Sequence, residues 1–220
     1  MTRTFTNLKA LALVLAILAG ITLQCGDVRA QSSDAAIFAG GCFWCVEADF
    51  ERVRGVVDAV SGFTGGTTPD PVYGQSGNHI EAVRIPFDPS EVSYAQLVNL
   101  FFRSIDPFDE GGQFCDRGRE YSSAIFVLNE QQRRAAEAEK AKAERALGRE
   151  IVTPIRSAGR FYPAGEYHQD YYRSEERLNR LNTVGFNLTK KEAYKVYRDR
   201  CGRDQRVRAI WGDAAPFAGG

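Results

Sequence analysis

Apolar positions recur along this chain in two rhythms. Alternating or continuous apolar runs over Ala35–Ala39, Val56–Phe63, Ile80–Phe87, Ser122–Leu128 and Ile151–Ile155 read as strands. Spacing of i, i+3, i+4 and i+7 reads as helix. Phe43, Val46, Phe50 and Val53 make one such face. Tyr94, Leu97, Val98, Phe101 and Ile105 make a second, opened by Pro89-Ser90. A third helix is expected from about Glu166, and a fourth from Thr189, where Glu192 completes a capping box. The Ala/Glu/Lys/Arg run from Ala135 to Arg149 follows a further capping signal at Asn129-Glu130-Gln131-Gln132. It predicts a solvated helix laced by Glu137–Lys140 and Glu139–Lys142 pairs, with nothing catalytic in it. Strands alternate with helices, yet Asp106 to Tyr121 is long and irregular, as functional loops tend to be. The pattern predicts a single α+β domain with a mixed or antiparallel sheet.

The first thirty residues follow another rule. Arg3 and Lys9 flank the start, Ala10 to Leu23 is apolar apart from Gly20 and Thr22, and Val28-Arg29-Ala30 offers a cleavage site before Gln31. That is the three-part layout of a secretory signal peptide. A membrane anchor competes, but this apolar run is short for a span. A lipoprotein signal at Cys25 fits poorly, because bulky Gln24 stands where a small residue is wanted. Residues 1–30 are therefore expected to be a signal peptide and 31–220 the folded protein, periplasmic or secreted, with no membrane attachment once the signal is removed.

Charge changes the picture only by exclusion. Lys+Arg 28 against Asp+Glu 28 leaves no basic excess for nucleic acid or an anionic membrane. The hydrophobic fraction of 44% and charged fraction of 25% are those of a soluble globular protein with a core of ordinary size.

Cys42, Cys45, Cys115 and Cys201 remain after the expected cleavage, too few and too unevenly spaced for a disulfide scaffold. Gly40-Gly41-Cys42-Phe43-Trp44-Cys45 follows a short strand and opens a helix. The glycines permit a sharp turn, and the first helical turn favours an anion, which would lower the Cys42 thiol pKa. Phe43 is as readily core as pocket; Trp44 is expected to line the cavity that Cys42 faces. Cys45 completes Cys-x-x-Cys, which suits a thioredoxin-like pair, half a zinc site, or a nucleophile with its resolving partner. Zinc is disfavoured because Cys115 and Cys201 stand alone and the histidines are only His79 and His168. In Ile80–Phe87, period-two alternation puts Glu81 on the face of Val83, Ile85 and Phe87. Desolvation there would keep a carboxyl protonated, as a general acid requires; a strand end reaching solvent is the equal alternative. Asp116 in the long loop reads by itself as a turn former. Tyr162, Glu166, His168 and Tyr171-Tyr172 form a polar-aromatic cluster that fits a pocket or an ordinary helix surface.

Taken in order, Gly41–Cys45, Gly62-Phe63-Thr64-Gly65-Gly66, His79–Val83, Asp116–Tyr121 and Phe161–Tyr171 resemble the peptide-methionine (S)-S-oxide reductases, the A-type methionine sulfoxide reductases. The resemblance runs from about Ala35 to Tyr172, with a C-terminal helical extension over 173–211. It implies a ferredoxin-like split β-α-β core and no metal or organic cofactor. It implies that Cys42 attacks the sulfoxide sulfur of oxidised proteins or peptides, Glu81 supplies a proton, Tyr121 donates to the oxygen, and Asp116 orders the site through water. Phe43 and Trp44 would hold the substrate methyl group. The products are methionine and a Cys42 sulfenic acid, which a second thiol resolves to a disulfide that a thioredoxin-like dithiol donor reduces. Two departures stand out. Phe63 occupies a position where the family commonly has tyrosine, removing one expected hydroxyl. The glycine-rich cysteine tail of some members is absent, so Cys201, Cys45 or Cys115 must resolve, with Cys201 on a mobile tail slightly favoured. The competing reading is a general thiol–disulfide oxidoreductase using Cys42 and Cys45, in which Glu81 and the aromatic pair have no role; a secreted binding domain with incidental thiols leaves the ordered blocks unexplained.

Overall fold

The computed structural model describes residues 34–178 and 187–219, so the expected signal peptide lies outside the described residues. Along the chain follow β1 (Asp34–Ala39), α1 (Phe43–Phe50), β2 (Val60–Thr64), β3 (Ile80–Phe87) and α2 (Tyr94–Phe102). A small hairpin, β4 (Gly112–Gln113) with β5 (Asp116–Arg117), precedes β6 (Ala124–Val127) and α3 (Glu130–Leu147). The edge strands β7 (Ile155–Ser157) and β8 (Tyr162–Pro163) come next, then α4 (Lys190–Arg200) and α5 (Arg203–Trp211).

Six strands form one sheet in the order β7-β6-β1-β3-β2-β8. β3 pairs antiparallel with both β1 and β2, with Phe38 opposite Val83 and Phe63 opposite Glu81. β1 and β2 therefore run the same way with β3 inserted between them and α1 connecting them, which is the split β-α-β unit in a mixed sheet. β7 joins β6 in parallel. Among the described residues no helix is long and apolar enough to cross a membrane.

Period-two alternation divides the strands between two cores. Ala36, Phe38, Phe63, Val83, Ile85, Phe87, Ile125 and Val127 face α1 and α2, whose Phe43, Val46, Phe50, Leu97, Val98 and Phe101 fill the layer. Phe38 stacks on Phe101 at 4.8 Å. The opposite face is a smaller cluster of Ile37, Ala39, Ile80, Ala82, Ala124 and Phe126. α2 starts at Ser93 rather than at Pro89-Ser90. There the Ser93 side chain accepts from the Gln96 amide and the Gln96 side chain returns the bond. At the head of α3 only half of the expected box forms, with Asn129 accepting from Gln132 N; the Gln132 amide instead donates to Ala35 O at 2.8 Å. The Thr189–Glu192 box at α4 is complete.

Four expectations need correction. The strand expected over Val56–Phe63 begins at Val60; the Asp58 carboxylate takes the Ala59 amide, and Val56 makes only an isolated bridge to Phe87. The strand expected over Ile151–Ile155 starts at Ile155, because Pro154 has no amide for the ladder. α3 is not solvated all round: Ala136 and Ala143 join the core, and buried Glu139 accepts from Asn99 on α2 as well as pairing with Lys142. Lys140 bonds Thr153 O. The helix expected from Glu166 is a single 3-10 turn, Glu166–His168. Pro163 and Gly165 precede it, and Asp170 follows with φ +54, its amide taken by Glu47 of α1. That segment is held from outside instead of by a helical ladder.

Candidate active site

Cys42 sits where β1 gives way to α1. The turn works because Gly41 has φ +83, a conformation costly for any residue with a Cβ, and because a Cβ there would lie 2.6 Å from Gln113 Cβ. Gln113 is buried and fixes the long loop: its side chain accepts from Asp106 N and donates to Asp106 O, each at 2.8 Å. Cys42 is the N-cap of α1, and its carbonyl accepts from Cys45 N and Val46 N. The free amide of Phe43 donates to Glu81 Oε2 at 2.9 Å. One orphan donor of the helix start is thereby given to a carboxyl from β3.

That carboxyl is 1% exposed. Burial pushes it well above the usual carboxylate range, outweighing the Phe43 amide bond, while Glu120 and Asp116 add to the rise. Burial thus favours the neutral form of Glu81, and its position on the core-facing side of β3, left open by the sequence, is decided. The thiol expectation reverses. Burial, with Cys45 and Glu81 beside it, pushes the Cys42 thiol up instead of down. Cys42 hydrogen-bonds Cys45, whose own thiol is lowered by that bond and then by Arg203 and Arg198, against the effect of burial.

Three hydroxyls surround these groups. Tyr121, in the 3-10 turn Arg119–Tyr121, is half-buried and feels Glu81, Glu120, Tyr73 and Asp116. Tyr73 is pushed up to about 12 by burial, then by Glu81 and Cys42. Sequence reasoning missed it: it lies in the turn-rich segment Pro69–Gly74, where no periodicity marks a side chain as inward. Phe63 is fully buried, with its ring edge against Phe43 at 5.7 Å. Its position belongs to the core, and Tyr73 brings to the site a hydroxyl that Phe63 lacks. The third is Tyr197 of α4, which donates to Asp116 Oδ2 and reaches the Cys42 thiol. Asp116 is half-buried, and burial raises its carboxyl against the Tyr197 bond and Arg203.

Aromatic rings close the rest. Trp44 stacks on Tyr171 at 3.9 Å and on His168 at 5.8 Å, and His168 lies 4.3 Å from Tyr73. Phe43 is wholly buried and approaches Tyr73 and His168 from beneath. Tyr171 is positioned by Glu47, which accepts from Ser61 Oγ and from Asp170 N, while Gln169 bonds both backbone groups of Ser61. Of the polar-aromatic cluster, His168 and Tyr171 join the site. Tyr162 packs on His79 and Glu166 is exposed, so neither takes part. Tyr172 bonds Glu51.

A thiol, a buried carboxyl and several hydroxyls thus stand together under an aromatic wall. Residues 34–201 match the family model for peptide methionine sulfoxide reductase. Peptide methionine sulfoxide reductase MsrA 2 of Rhizobium meliloti is 46% identical over 94% of this chain and 98% of its own length. The MsrA of Ligilactobacillus salivarius is 47% identical over 70% of the chain and 94% of its own length. Methionine sulfoxide reductase A of Corynebacterium diphtheriae superposes with a TM-score of 0.56 at 28% identity, covering 70% of this chain and 82% of that one. The chain belongs to the peptide methionine sulfoxide reductase family. The match extends into α4, past the stretch in which the sequence blocks were found.

In this reductase the sulfurs are partitioned. Cys115 and Cys201 form a disulfide, Cα atoms 4.8 Å apart, while Cys42 and Cys45 are free and buried. Cys201 is therefore not a thiol on a mobile tail: it caps α4 and is tied to the active-site loop. The C-terminal helices also bring two guanidiniums inward. Arg198 pairs with buried Asp49 at 2.7 Å, and Arg203 donates to Gly40 O at 3.1 Å. Two groups of side chains among the described residues have the spacing of metal ligands, Cys115–Asp116–Cys201 and Glu47–Glu51–Asp170. In the first the sulfurs are bonded to each other. In the second the carboxylates are taken by Ser61, Tyr172, Arg173 and the Asp170 amide.

Proposed function

We propose that this reductase converts the S epimer of methionine sulfoxide, free or in proteins, to methionine, with Cys42 as nucleophile. The observation that carries the reading is the buried Glu81 carboxyl, hydrogen-bonded to the amide of Phe43, one residue from Cys42. Sulfur attack on the sulfoxide sulfur pushes charge onto its oxygen, and a neutral acid at that point supplies the proton. Tyr73 and Tyr121 donate to the same oxygen. The methyl group rests against Trp44; Phe43 is wholly buried and packs behind that wall instead of meeting the substrate. Oxygen ends on the Cys42 sulfur as a sulfenic acid, two electrons having passed to the substrate sulfur, which leaves as methionine.

Cys45 is the thiol already in contact with Cys42. It attacks the sulfenic acid, releasing water and leaving a Cys42–Cys45 disulfide. Its low thiol pKa relative to Cys42 favours that role over Cys201, which is bonded to Cys115. A thioredoxin-like dithiol then restores both thiols. With the expected signal peptide removed, this repair takes place in the periplasm or outside the cell, on oxidised proteins there.

The purified protein is incubated with separate R and S epimers of a methionine sulfoxide dipeptide and a dithiol. Reduction of the S epimer alone is expected. Failure with both, together with reduction of insulin disulfides, would transfer the assignment to a general thiol–disulfide oxidoreductase.

A further inference from the structure

A buried thiol whose pKa is raised poses a problem for the reaction just described, because the thiolate is the attacking form. The proton must leave the Cys42 sulfur inside a closed site. The groups facing that sulfur are Cys45 on its own helix, Glu81 from β3, Tyr73 and Tyr171 from the loops, and Tyr197 from α4. Burial holds Glu81 and the tyrosines toward their protonated forms. Tyr197 differs from the rest because its hydroxyl already donates to a carboxyl beyond it. It packs against the cluster that holds Cys42 and Cys45, its hydroxyl toward the Cys42 thiol, and donates to Asp116 Oδ2 on the other side, its ring set edge-on to Trp44 at 6.4 Å. Asp116 faces Tyr197 and Arg203 and is half-buried, so it is a carboxylate able to take up a proton within the site.

We propose that Tyr197 relays the Cys42 thiol proton to Asp116, and that the Cys115–Cys201 disulfide holds this relay together. The sulfur gives its proton to the Tyr197 oxygen as the Tyr197 hydroxyl proton passes to Asp116. Tyrosine is unchanged at the end, Cys42 is a thiolate and Asp116 is a carboxylic acid. Glu81 later gives one proton to the departing oxygen. The two transfers balance, so the site carries no added charge at the sulfenic acid stage. The disulfide brackets the contact: Cys115 is the neighbour of Asp116 in the loop, and Cys201 lies one helical turn beyond Tyr197. A C-terminal helix thus directs a hydroxyl toward the reacting sulfur, held there by a covalent bond to the active-site loop. The inference rests on Cys42 being the reactive sulfur but not on the identity of the substrate.

The test is the pH dependence of Cys42 alkylation, followed by peptide mass spectrometry so that Cys42 and Cys45 are read separately, with no sulfoxide present. Tyr197→Phe keeps the ring and removes the hydroxyl; Asp116→Asn removes the acceptor. Each is expected to slow Cys42 alkylation near neutral pH by about tenfold or more, and the double variant by no more than either alone. Single-turnover methionine formation, which needs no resolving thiol, should fall in parallel. Cys115→Ser/Cys201→Ser should move the profile toward that of Tyr197→Phe. A Tyr197→Phe profile that matches the wild type would overturn the relay and leave Cys45 as the proton's outlet. Effects of the two single variants that multiply in the double variant would also overturn it. An unchanged profile in the disulfide variant would remove the disulfide from the proposal. If instead the alkylation shifts appear but no sulfoxide is reduced, it is the substrate assignment that fails.

Discussion

Cys42 is placed where a helix start should favour its anion, yet burial holds its proton on, and this opposition organises the chemistry around it. Glu81 meets the same burial with the opposite consequence, since a neutral carboxyl is the form a general acid needs. On the proposed acid role, the function is present below the raised pKa and lost as pH rises through it, so Glu81 is expected to contribute an alkaline limb to the rate profile. Glu81→Gln should slow single-turnover methionine formation by roughly 10²–10⁴-fold and abolish that limb. An unchanged rate between about pH 6 and 9 would refute the acid role. Tyr73→Phe is expected to cost about tenfold or more in the same assay, as loss of one donor to a developing oxyanion. Phe63→Tyr should not rescue it, because position 63 is closed against Phe43 and Tyr162. Measuring the two variants separately and together checks both statements.

Between elements, Glu47 is the residue that couples α1 to the rest of the pocket. It holds Ser61 on β2 and the amide of Asp170, and so fixes Tyr171 on Trp44. Burial pushes its carboxyl up to about 8. The unfolded chain releases that proton near the ordinary carboxylate pKa while the folded chain keeps it. Stability is therefore fullest below that ordinary pKa and declines as pH rises toward the folded value of about 8. Glu47→Gln copies the neutral form and removes the decline. Denaturant titrations should show the variant gaining on the wild type by up to a few kcal/mol as pH is raised from about 5 to 8. A constant difference across that range would mean that Glu47 is ionised in the folded protein. The elements themselves were legible to the extent that their periodicity was produced by packing on one sheet face. β1, β3 and α2 announce themselves because a single core reads each of them. Glu81 could be placed by alternation alone. The segment after Pro163 could not, because its shape is imposed by Glu47 and Ser61, more than a hundred residues earlier in the chain. Tyr73 and Tyr197 were invisible for the same reason: each reaches the site from a stretch whose local pattern points elsewhere. The motif Gly41–Cys45 marks the proposed nucleophile, but the sign of its pKa shift is set by burial, with Cys45 and Glu81 of β3 adding to the rise, and neither the burial nor Glu81 can be read from a window around Cys42.

At the scale of the molecule, the Cys115–Cys201 bond joins residues 86 positions apart. Between them lie β5, β6, α3 and both edge strands, so the bond closes a loop that contains much of the sheet edge. In a chain-entropy account, removing a cross-link over a loop of that length costs about 4–5 kcal/mol. A Cys115→Ser/Cys201→Ser variant should then melt about 10 °C lower than the oxidised protein, using the scaling for a chain of this size. Reducing the wild type should reproduce that loss, and the variant itself should no longer respond to reductant. α4 and α5 carry their own anchors, Arg198 on Asp49 and Arg206 on Asp106 at 2.6 Å, which do not depend on the sulfur bond. A small melting shift would mean that the bond constrains the unfolded chain little, and the disulfide would then matter to the local placement of Tyr197 rather than to the fold. A shift of the full size would instead make the C-terminal helices a covalently fastened part of the domain. Differential scanning calorimetry of the oxidised protein, the reduced protein and the double variant separates the two, because only covalent fastening makes the reduced protein and the double variant coincide well below the oxidised one.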